Sequence, residues 1–409
     1  MSRNKTIWII NLYASHLETR HRELAKSFAQ SGYTVAVITT SFHHGRKEYL
    51  YDETIRITER AENVYYAYLH SGPSYQSNGS GRILNMLDFC RLVRKHHKKI
   101  AEKTGAPGYI IASSAPPFVW EPGYSLAKKY NAKFVVEIKD IWPLALVKIQ
   151  GVSPVHPLVI LLRIIEKRAY KHADIIVTTM QYAWKHICKI NKDYKDKVFW
   201  MPNGINTKQA DEWFEENKTL PPELEQYLSE NWCCIYIGSF ARSEHVDLLI
   251  DAVSGLADED VCFAVIGEGQ EREKLQALID SKHITNVKIF PFLERKYILT
   301  ALYKAKCCLA ACKNVGMQQY GLSMYKLSEY LYSGTPTVFA FDLESVVSDA
   351  GHYTVPYDDA EKLRSTIISV KNLDQEALDE LSRKGKEEII KHYDLQNVGK
   401  DYLKVLESK

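Results

Sequence analysis

The chain has no long hydrophobic run. Its apolar runs are short, Pro157–Leu162 stopping at Arg163, whereas a bilayer-crossing helix needs about 20 apolar residues. No transmembrane segment is therefore expected. Met1–Asn11 lacks both an extended apolar region and a small-residue cleavage site, so no signal peptide is expected. There is little excess of charge of either sign: the formal net charge is +3 over 409 residues, and nothing global calls for a nucleic-acid partner. The eight cysteines (Cys90, Cys188, Cys233, Cys234, Cys262, Cys307, Cys308 and Cys312) include no Cys-x-x-Cys pair and no metal-like histidine spacing. They read as reduced thiols among apolar neighbours, which fits a cytoplasmic protein. A complete G-x-G-x-x-G is also missing. The run Gly267-Glu-Gly-Gln-Glu-Arg272 has arginine where the last glycine would stand, which argues against a nicotinamide site.

What is present is alternation. Short β-branched runs such as Thr34–Thr39, Val64–Leu69 and Lys133–Ile138 are separated by amphipathic segments of helical period, the pattern of an α/β fold with a parallel, doubly wound sheet. The pattern breaks at Met201-Pro-Asn-Gly204 and a polar, acidic stretch, so a linker is expected near Asn203–Pro222. It restarts at Cys233–Gly238 and runs through strands expected at Val261–Ile266, Val287–Phe290, Cys307–Ala311 and Thr337–Phe341. A chain of this length suits two such domains in series.

Open parallel sheets bind ligands beyond the carboxyl ends of their strands, so the residues after each strand matter most. Gly238-Ser239 followed by Arg242 offers close backbone approach and a fixed cation before a helix start, which suits an anion; a capped turn with a solvated arginine is the alternative. Gly267 follows the next strand. The densest stretch is Tyr320–Pro336. Gly321 provides a loop, Ser323 is placed to cap a helix, and Lys326 and Glu329 are spaced i, i+3 on one helix face. A lysine in the first helical turn opposes the macrodipole unless an anion is nearby. A surface Lys–Glu pair is the alternative. In the first half, Glu137 interrupts an apolar strand, and Lys139 and Asp140 stand at its carboxyl end, with a strand-terminal salt bridge as the alternative reading.

These motifs resemble those of the family 4 retaining glycosyltransferases, in particular bacterial surface-polysaccharide enzymes of the N-acetylfucosaminyl type. The carrying residues are Tyr320-Gly-Leu-Ser-x-x-Lys-Leu-x-Glu-Tyr…Gly-x-Pro336, Glu137-x-x-Asp-x-Trp-Pro143, Pro202-Asn-Gly204, Gly238-x-x-x-Arg242 and Ile266-Gly-x-Gly269. The resemblance implies a GT-B fold, two facing Rossmann-like domains with a cleft between them. Residues 1–205 with a C-terminal helix over 392–409 would form the acceptor domain, and residues 206–391 the nucleotide-sugar domain. It implies that Glu329 bonds the ribose hydroxyls, and that Arg242 and Lys326 neutralise a diphosphate. Gly238, Ser239, Gly267, Tyr320, Gly321, Leu322 and Ser323 would complete the donor site. Asp140, with Lys139 where many relatives carry histidine, would face the sugar; Tyr13–Leu17 replaces the usual glycine-rich loop, for which His16 and Arg20 just after the first strand would compensate, so that Asp140, Lys139 and His16 are the expected catalytic residues. No cofactor or metal is implied; a UDP-sugar would be co-substrate. The acceptor would be a polysaccharide or lipid-linked saccharide in capsule or O-antigen synthesis. A nucleotide-sugar epimerase or hydrolase, or a non-catalytic partner subunit, are the alternative functions. Two basic segments with apolar faces, Arg82–Lys103 and Val155–Lys171, fit a peripheral protein touching an anionic membrane surface; a solvated basic face over an ordinary core stripe is the alternative.

Overall fold

The uninterrupted apolar runs become strands covered on both faces. Thr6–Ile10 and Tyr109–Ser113 are buried at every residue, as strands of a parallel sheet flanked by helices must be. The computed structural model describes residues 4–76, 79–313 and 316–408. Met1–Arg3 of the expected leaderless start and Lys409 of the expected final helix lie outside the described residues. The chain forms two units. The first contains the chain up to Asn203, Tyr320–Ser323 and the residues from Leu395 on; the second contains Gly204–Gln319 and Met324–Asp394.

In the first unit the strands are β1 (Thr6–Ile10), β2 (Thr34–Thr40), β3 (Phe42–His43), β4 (Glu48–Tyr49), β5 (Ile55–Ala61), β6 (Val64–Leu69), β7 (Tyr109–Ser113), β8 (Lys133–Ile138), β9 (Ile175–Thr178) and β10 (Val198–Trp200). Eight of them form one sheet in the order β10-β9-β8-β7-β1-β2-β6-β5. All its pairings are parallel except β5 with β6, while β3 and β4 make a separate antiparallel pair. Helix Thr19–Gln30 ends near Gly32, whose φ of +86° favours glycine. It packs against helix Leu395–Ser408. Phe28 and Tyr402 meet edge to face at 5.6 Å, and a β-carbon on Gly399 would come within 2.3 Å of Ser27 Oγ. On the other face, helices Ser80–Thr104, Trp120–Tyr130 and Pro157–His172 adjoin in that order.

The second unit has β11 (Trp232–Ser239), β12 (Val261–Glu268), β13 (Val287–Phe290), β14 (Cys307–Ala311), β15 (Thr337–Ala340) and β16 (Tyr353–Val355), all parallel in the order β13-β12-β11-β14-β15-β16. Its core gathers Phe263, Leu249, Val253, Leu309 and Leu363. The cysteines are unpaired and mostly buried, and Cys234 and Cys307 sit in register on adjacent strands.

One expectation is overturned here. The stretch read as a linker is structured and belongs to the second unit. Asn206 caps helix Thr207–Glu216 through its side chain, and Leu224 and Leu228 of helix Pro222–Glu230 are buried. Tyr332 donates to Asp211 at 2.8 Å, and Thr300 donates to the Asn217 carbonyl at 2.7 Å. The composition is polar because helix Thr207–Glu216 has no fully buried residue and helix Pro222–Glu230 buries only Leu224 and Leu228.

Candidate functional site

In the second unit the crossovers run one way from β11 to β12 and β13 and the other way to β14, β15 and β16. The reversal lies between β11 and β14, where an open α/β sheet leaves a crevice at its carboxyl edge. The residues expected to bind a donor lie at this point. β11 ends in Gly238 and Ser239, and helix Tyr325–Ser333 brings Lys326 into its first turn. Tyr330 fastens this helix to β11: its hydroxyl accepts from Ile237 N at 2.7 Å and donates to Ile237 O at 3.1 Å.

Lys326 Nζ donates to Tyr236 Oη at 2.8 Å and to Glu244 Oε2 at 2.5 Å. It also lies 4.4 Å from the Tyr236 ring centroid. The side chain is 11% exposed; burial lowers its pKa, against the pull of Glu244. Gly238 makes this arrangement possible, because a β-carbon there would stand 2.7 Å from Lys326 Nζ and 2.8 Å from Tyr236 Oη. Gly267 pairs with Gly238 across the strands. Its φ is +149°, and a β-carbon would fall 1.8 Å from Gly238 O. Arg272 donates to Gly267 O at 3.0 Å and pairs with Glu268 at 3.2 Å, so it closes this turn.

Glu329 lies one helical turn beyond Lys326. Its Oε1 accepts from Arg295 Nη2 at 3.2 Å, and its side chain is 18% exposed. Burial raises its pKa, opposed by Arg295 and Lys326. Lys326 and Glu329 thus share a helix face without forming the expected surface pair. Each is engaged by a side chain from another loop, Glu244 after β11 and Arg295 after β13. The conflict with the macrodipole is met inside the protein by Glu244.

The remaining donor-site residues divide. The Ser239 carbonyl accepts from the Tyr236 hydroxyl at 2.8 Å. Arg242 is exposed and makes no hydrogen bond or ion pair among the described residues. It lines a groove of about 600 Å³ between helices Val246–Ser254 and Arg272–Ser281 that includes neither Lys326 nor Glu329. Tyr320, Gly321, Leu322 and Ser323 belong to the first unit. The Tyr320 carbonyl accepts from Tyr182 N at 3.0 Å, and its hydroxyl accepts from Lys189 Nζ at 3.4 Å. Gly321 has φ +89° and approaches Gln181 too closely for a β-carbon. Ser323 caps no helix, contrary to expectation. The N-cap is Met324, without a side-chain bond, and Ser323 Oγ is buried and unpartnered. The stretch read as one donor-gripping segment is therefore divided between units after Ser323.

In the first unit the expected catalytic residues follow β1 and β8. His16 Nδ1 lies 2.7 Å from Tyr68 Oη; burial, then Arg60 and Arg22, lower its pKa. Lys139 is tied by its backbone to Ser114 Oγ at 3.1 Å and Thr179 Oγ1 at 3.3 Å. Asp140 is exposed, and among the described residues it forms no strand-terminal salt bridge with Lys139. Arg20 does not stand in for a glycine-rich loop. It is fully buried against Glu137, with Nη2 to Oε1 at 2.8 Å, and donates to the carbonyls of Pro202 at 2.5 Å and Met201 at 3.1 Å. His21 Nε2 holds the other oxygen of Glu137 at 2.8 Å. A smaller pocket of about 230 Å³ opens after β1 and β2, lined in part by Tyr13, Phe42, His43 and His44. Burial pushes the His44 pKa down to about 4, helped by Arg82 and Lys47.

Sequence reading passed over Tyr236, Glu244 and Arg295. Tyr236 carries a faint signal as a polar break in the run Cys233–Gly238. The other two occupy ordinary charged loops with none.

Comparison with known proteins is consistent with this geometry. Residues 17–209 match the family model "Glycosyltransferase Family 4", and residues 233–372 match "Glycosyl transferases group 1". No curated protein matches the sequence as a relative. Among solved structures, sucrose-phosphate synthase from Thermosynechococcus elongatus is similar at 16% identity, covering 98% of each chain with a TM-score of 0.72. Anabaena Alr3699/HepE in complex with UDP is similar at 14% identity, covering 99% of this chain and 100% of its own, with a TM-score of 0.70. WaaG, a glycosyltransferase involved in lipopolysaccharide biosynthesis, is similar at 14% identity over 99% of this chain and 100% of its own, with a TM-score of 0.65. With a glycosyltransferase model matching in each unit and the GT-B architecture throughout, the chain belongs to the family 4 glycosyltransferases.

Proposed function

We propose that the protein moves a hexosyl or N-acetylhexosaminyl group from a UDP-sugar to a saccharide acceptor, polysaccharide or lipid-linked, in bacterial surface-glycan synthesis of the N-acetylfucosaminyl type. One observation carries the donor half of this reading. A largely buried lysine and a largely buried glutamate, one turn apart on helix Tyr325–Ser333, stand at the switch point of a parallel sheet. Lys326 suits a phosphate, and the carboxylate of Glu329 suits the vicinal diol of a ribose. Gly238, Ser239 and Gly267 supply close backbone, and Arg242 supplies a second cation. The UDP in the HepE structure and the pathway of WaaG support the donor and the glycan, respectively.

In the reaction an acceptor hydroxyl attacks the anomeric carbon on the face from which the diphosphate departs. The C–O bond to the diphosphate breaks, the new glycosidic bond forms, and a diphosphate oxygen takes the hydroxyl proton. The leaving group gains charge, which Lys326 and Arg242 meet in place of a metal ion. Asp140, Lys139 and His16 remain the proposed sugar-facing residues of the first unit. The aromatic pocket after β1 and β2 suits the apolar face of an acceptor sugar.

A cytoplasmic, peripheral location is part of the proposal. No helix among the described residues is long and apolar enough to cross a membrane. Exposed apolar side chains nevertheless accompany the basic ones: Val155 at 76%, Ile164 at 58%, and Ile160 and Leu161 beside Arg163, Lys167 and Lys171. On helix Ser80–Thr104 only Leu84 and Leu87 of the expected apolar face are exposed; Leu92 and Val93 belong to the core. Exposed apolar residues rimmed by cations fit an anionic lipid surface.

Calorimetry with UDP tests the donor site. Lys326→Ala and Glu329→Ala should each weaken binding about tenfold or more, and unchanged affinity in both removes the assignment. Incubation with UDP-sugars alone distinguishes transfer from hydrolysis or epimerisation, since product formed without an acceptor would contradict transfer.

A further inference from the structure

Lys326 already has an anion. Glu244 closes the short turn Arg242–Glu244, in the loop that leaves β11 beside Gly238 and Ser239, and its carboxylate lies 2.5 Å from Lys326 Nζ. The turn is braced. Glu244 N bonds Ala241 O at 2.9 Å and Lys313 N bonds Ser243 O at 2.9 Å. His245 follows in the left-handed region at φ +49°, with Nδ1 2.8 Å from Asp247.

Counting donors shows the conflict. An ammonium group has three N–H bonds to give. Tyr236 Oη takes one and Glu244 takes another. The ring of Tyr236 lies against the ammonium, and a β-carbon on Gly238 would fall 2.7 Å from the same head. A diphosphate that engages Lys326 through more than one oxygen needs the place Glu244 holds. A carboxylate and a phosphate on one buried ammonium would also repel each other.

We infer that Glu244 is the resident counter-ion of Lys326 and that the donor's diphosphate replaces it on binding. Glu244 is thus a positioning residue. It holds the buried ammonium charged and aimed while the site is empty, and sets how strong an anion must be to enter. A neutral nucleoside has nothing with which to displace it. This inference rests on the reading of Lys326 as the phosphate-binding residue.

The test is calorimetry on the full chain with three probes: UDP, inorganic diphosphate and uridine. Glu244→Gln keeps the shape and removes the competing charge; Glu244→Ala is the second variant should the amide itself bond Lys326. Either should bind UDP and inorganic diphosphate about tenfold more tightly than the unaltered protein, with uridine unchanged. In a Lys326→Ala background, Glu244→Gln should give no gain. Unchanged or weaker UDP binding in both Glu244 variants overturns the inference. So does an equal gain for uridine, or a gain that survives loss of Lys326. If UDP binding is indifferent to Lys326→Ala, the phosphate reading of Lys326 falls and takes the inference with it. If Lys326→Ala loses binding while the Glu244 variants gain none, only the inference falls.

Discussion

Arg20 and Glu137 form an ion pair at 2.8 Å with both side chains wholly out of solvent. Three carboxylate contacts, from Arg20 Nε, Arg20 Nη2 and His21 Nε2, satisfy Glu137. The rest of the guanidinium binds the carbonyls of Met201 and Pro202, so helix Thr19–Gln30, β8 and the end of the first unit's main segment meet at one charge cluster. Removing one partner of such a pair strands the other in the interior. Arg20→Met or Glu137→Leu should destabilise the first unit by about 3–5 kcal/mol, read by denaturant unfolding, and a loss below 1 kcal/mol would contradict the assignment.

The same cluster makes acid destabilising. The Glu137 carboxyl is held well below its usual range: burial opposes this, but Arg20 and His21 outweigh it. Glu18, beside His21, is lowered from 4.5 to about 2, again with burial opposing and His21 prevailing. A carboxylate with a depressed folded pKa stabilises above its unfolded pKa and loses that contribution as pH falls through the folded one. Stability should therefore be steady above about pH 5 and fall toward pH 2. Glu18→Gln should flatten part of that decline in a pH series of melting temperatures.

Gly238→Ala tests the room made for Lys326. The added methyl meets the head of Lys326 2.7 Å away and Tyr236 Oη 2.8 Å away, so the ends of both side chains must shift while the backbone stays in place. The melting temperature should change by no more than about 4 °C. UDP affinity should drop about tenfold as Lys326 leaves Tyr236 and Glu244. Equal UDP affinity in the variant would show that the position of Lys326 does not matter to the ligand.

Arg295 opposes the upward push of burial on Glu329. Arg295→Ala should raise the Glu329 pKa further, so the acid limb of UDP affinity moves to higher pH, with weaker binding near neutrality. Arg295→Lys should restore part of the shift. Titrations at several pH values check this, and an unmoved acid limb would separate Glu329 from the ligand.

Membrane contact is tested on helix Pro157–His172. Ile160→Glu with Ile164→Glu should abolish flotation with anionic vesicles while UDP affinity stays unchanged, because both residues lie on an exposed face of the first unit. Flotation equal to that of the parent chain, or absent from the parent, would remove the proposal.

The strands that could be read from sequence are those enclosed on both faces. Lys133–Ile138, Val64–Leu69 and Cys307–Ala311 appear as largely apolar runs because nearly every residue in them is buried. β5 escaped because it is an edge strand with mixed, partly exposed residues, and β16 because three residues carry no period. The helices mistaken for a linker show a related weakness, since so few of their residues are buried that their composition stays polar. At the site, Lys326 and Glu329 were legible because local spacing puts them on one helix face. Their partners were not: Glu244 lies 82 residues from Lys326 and Arg295 lies 34 from Glu329, and only the sheet brings them together.

The packing of helix Thr19–Gln30 against helix Leu395–Ser408 has a consequence for synthesis. Phe28 is ready early, but Tyr402 and the backbone of Gly399 that complete its surroundings emerge only after the whole second unit has been made. During translation the strands of the first unit are complete by Trp200, yet an apolar flank stays uncovered until the last helix emerges, after every residue of the second unit. The nascent chain is thus most exposed to aggregation in its oldest part, and a ribosome-associated chaperone would find its ligand there.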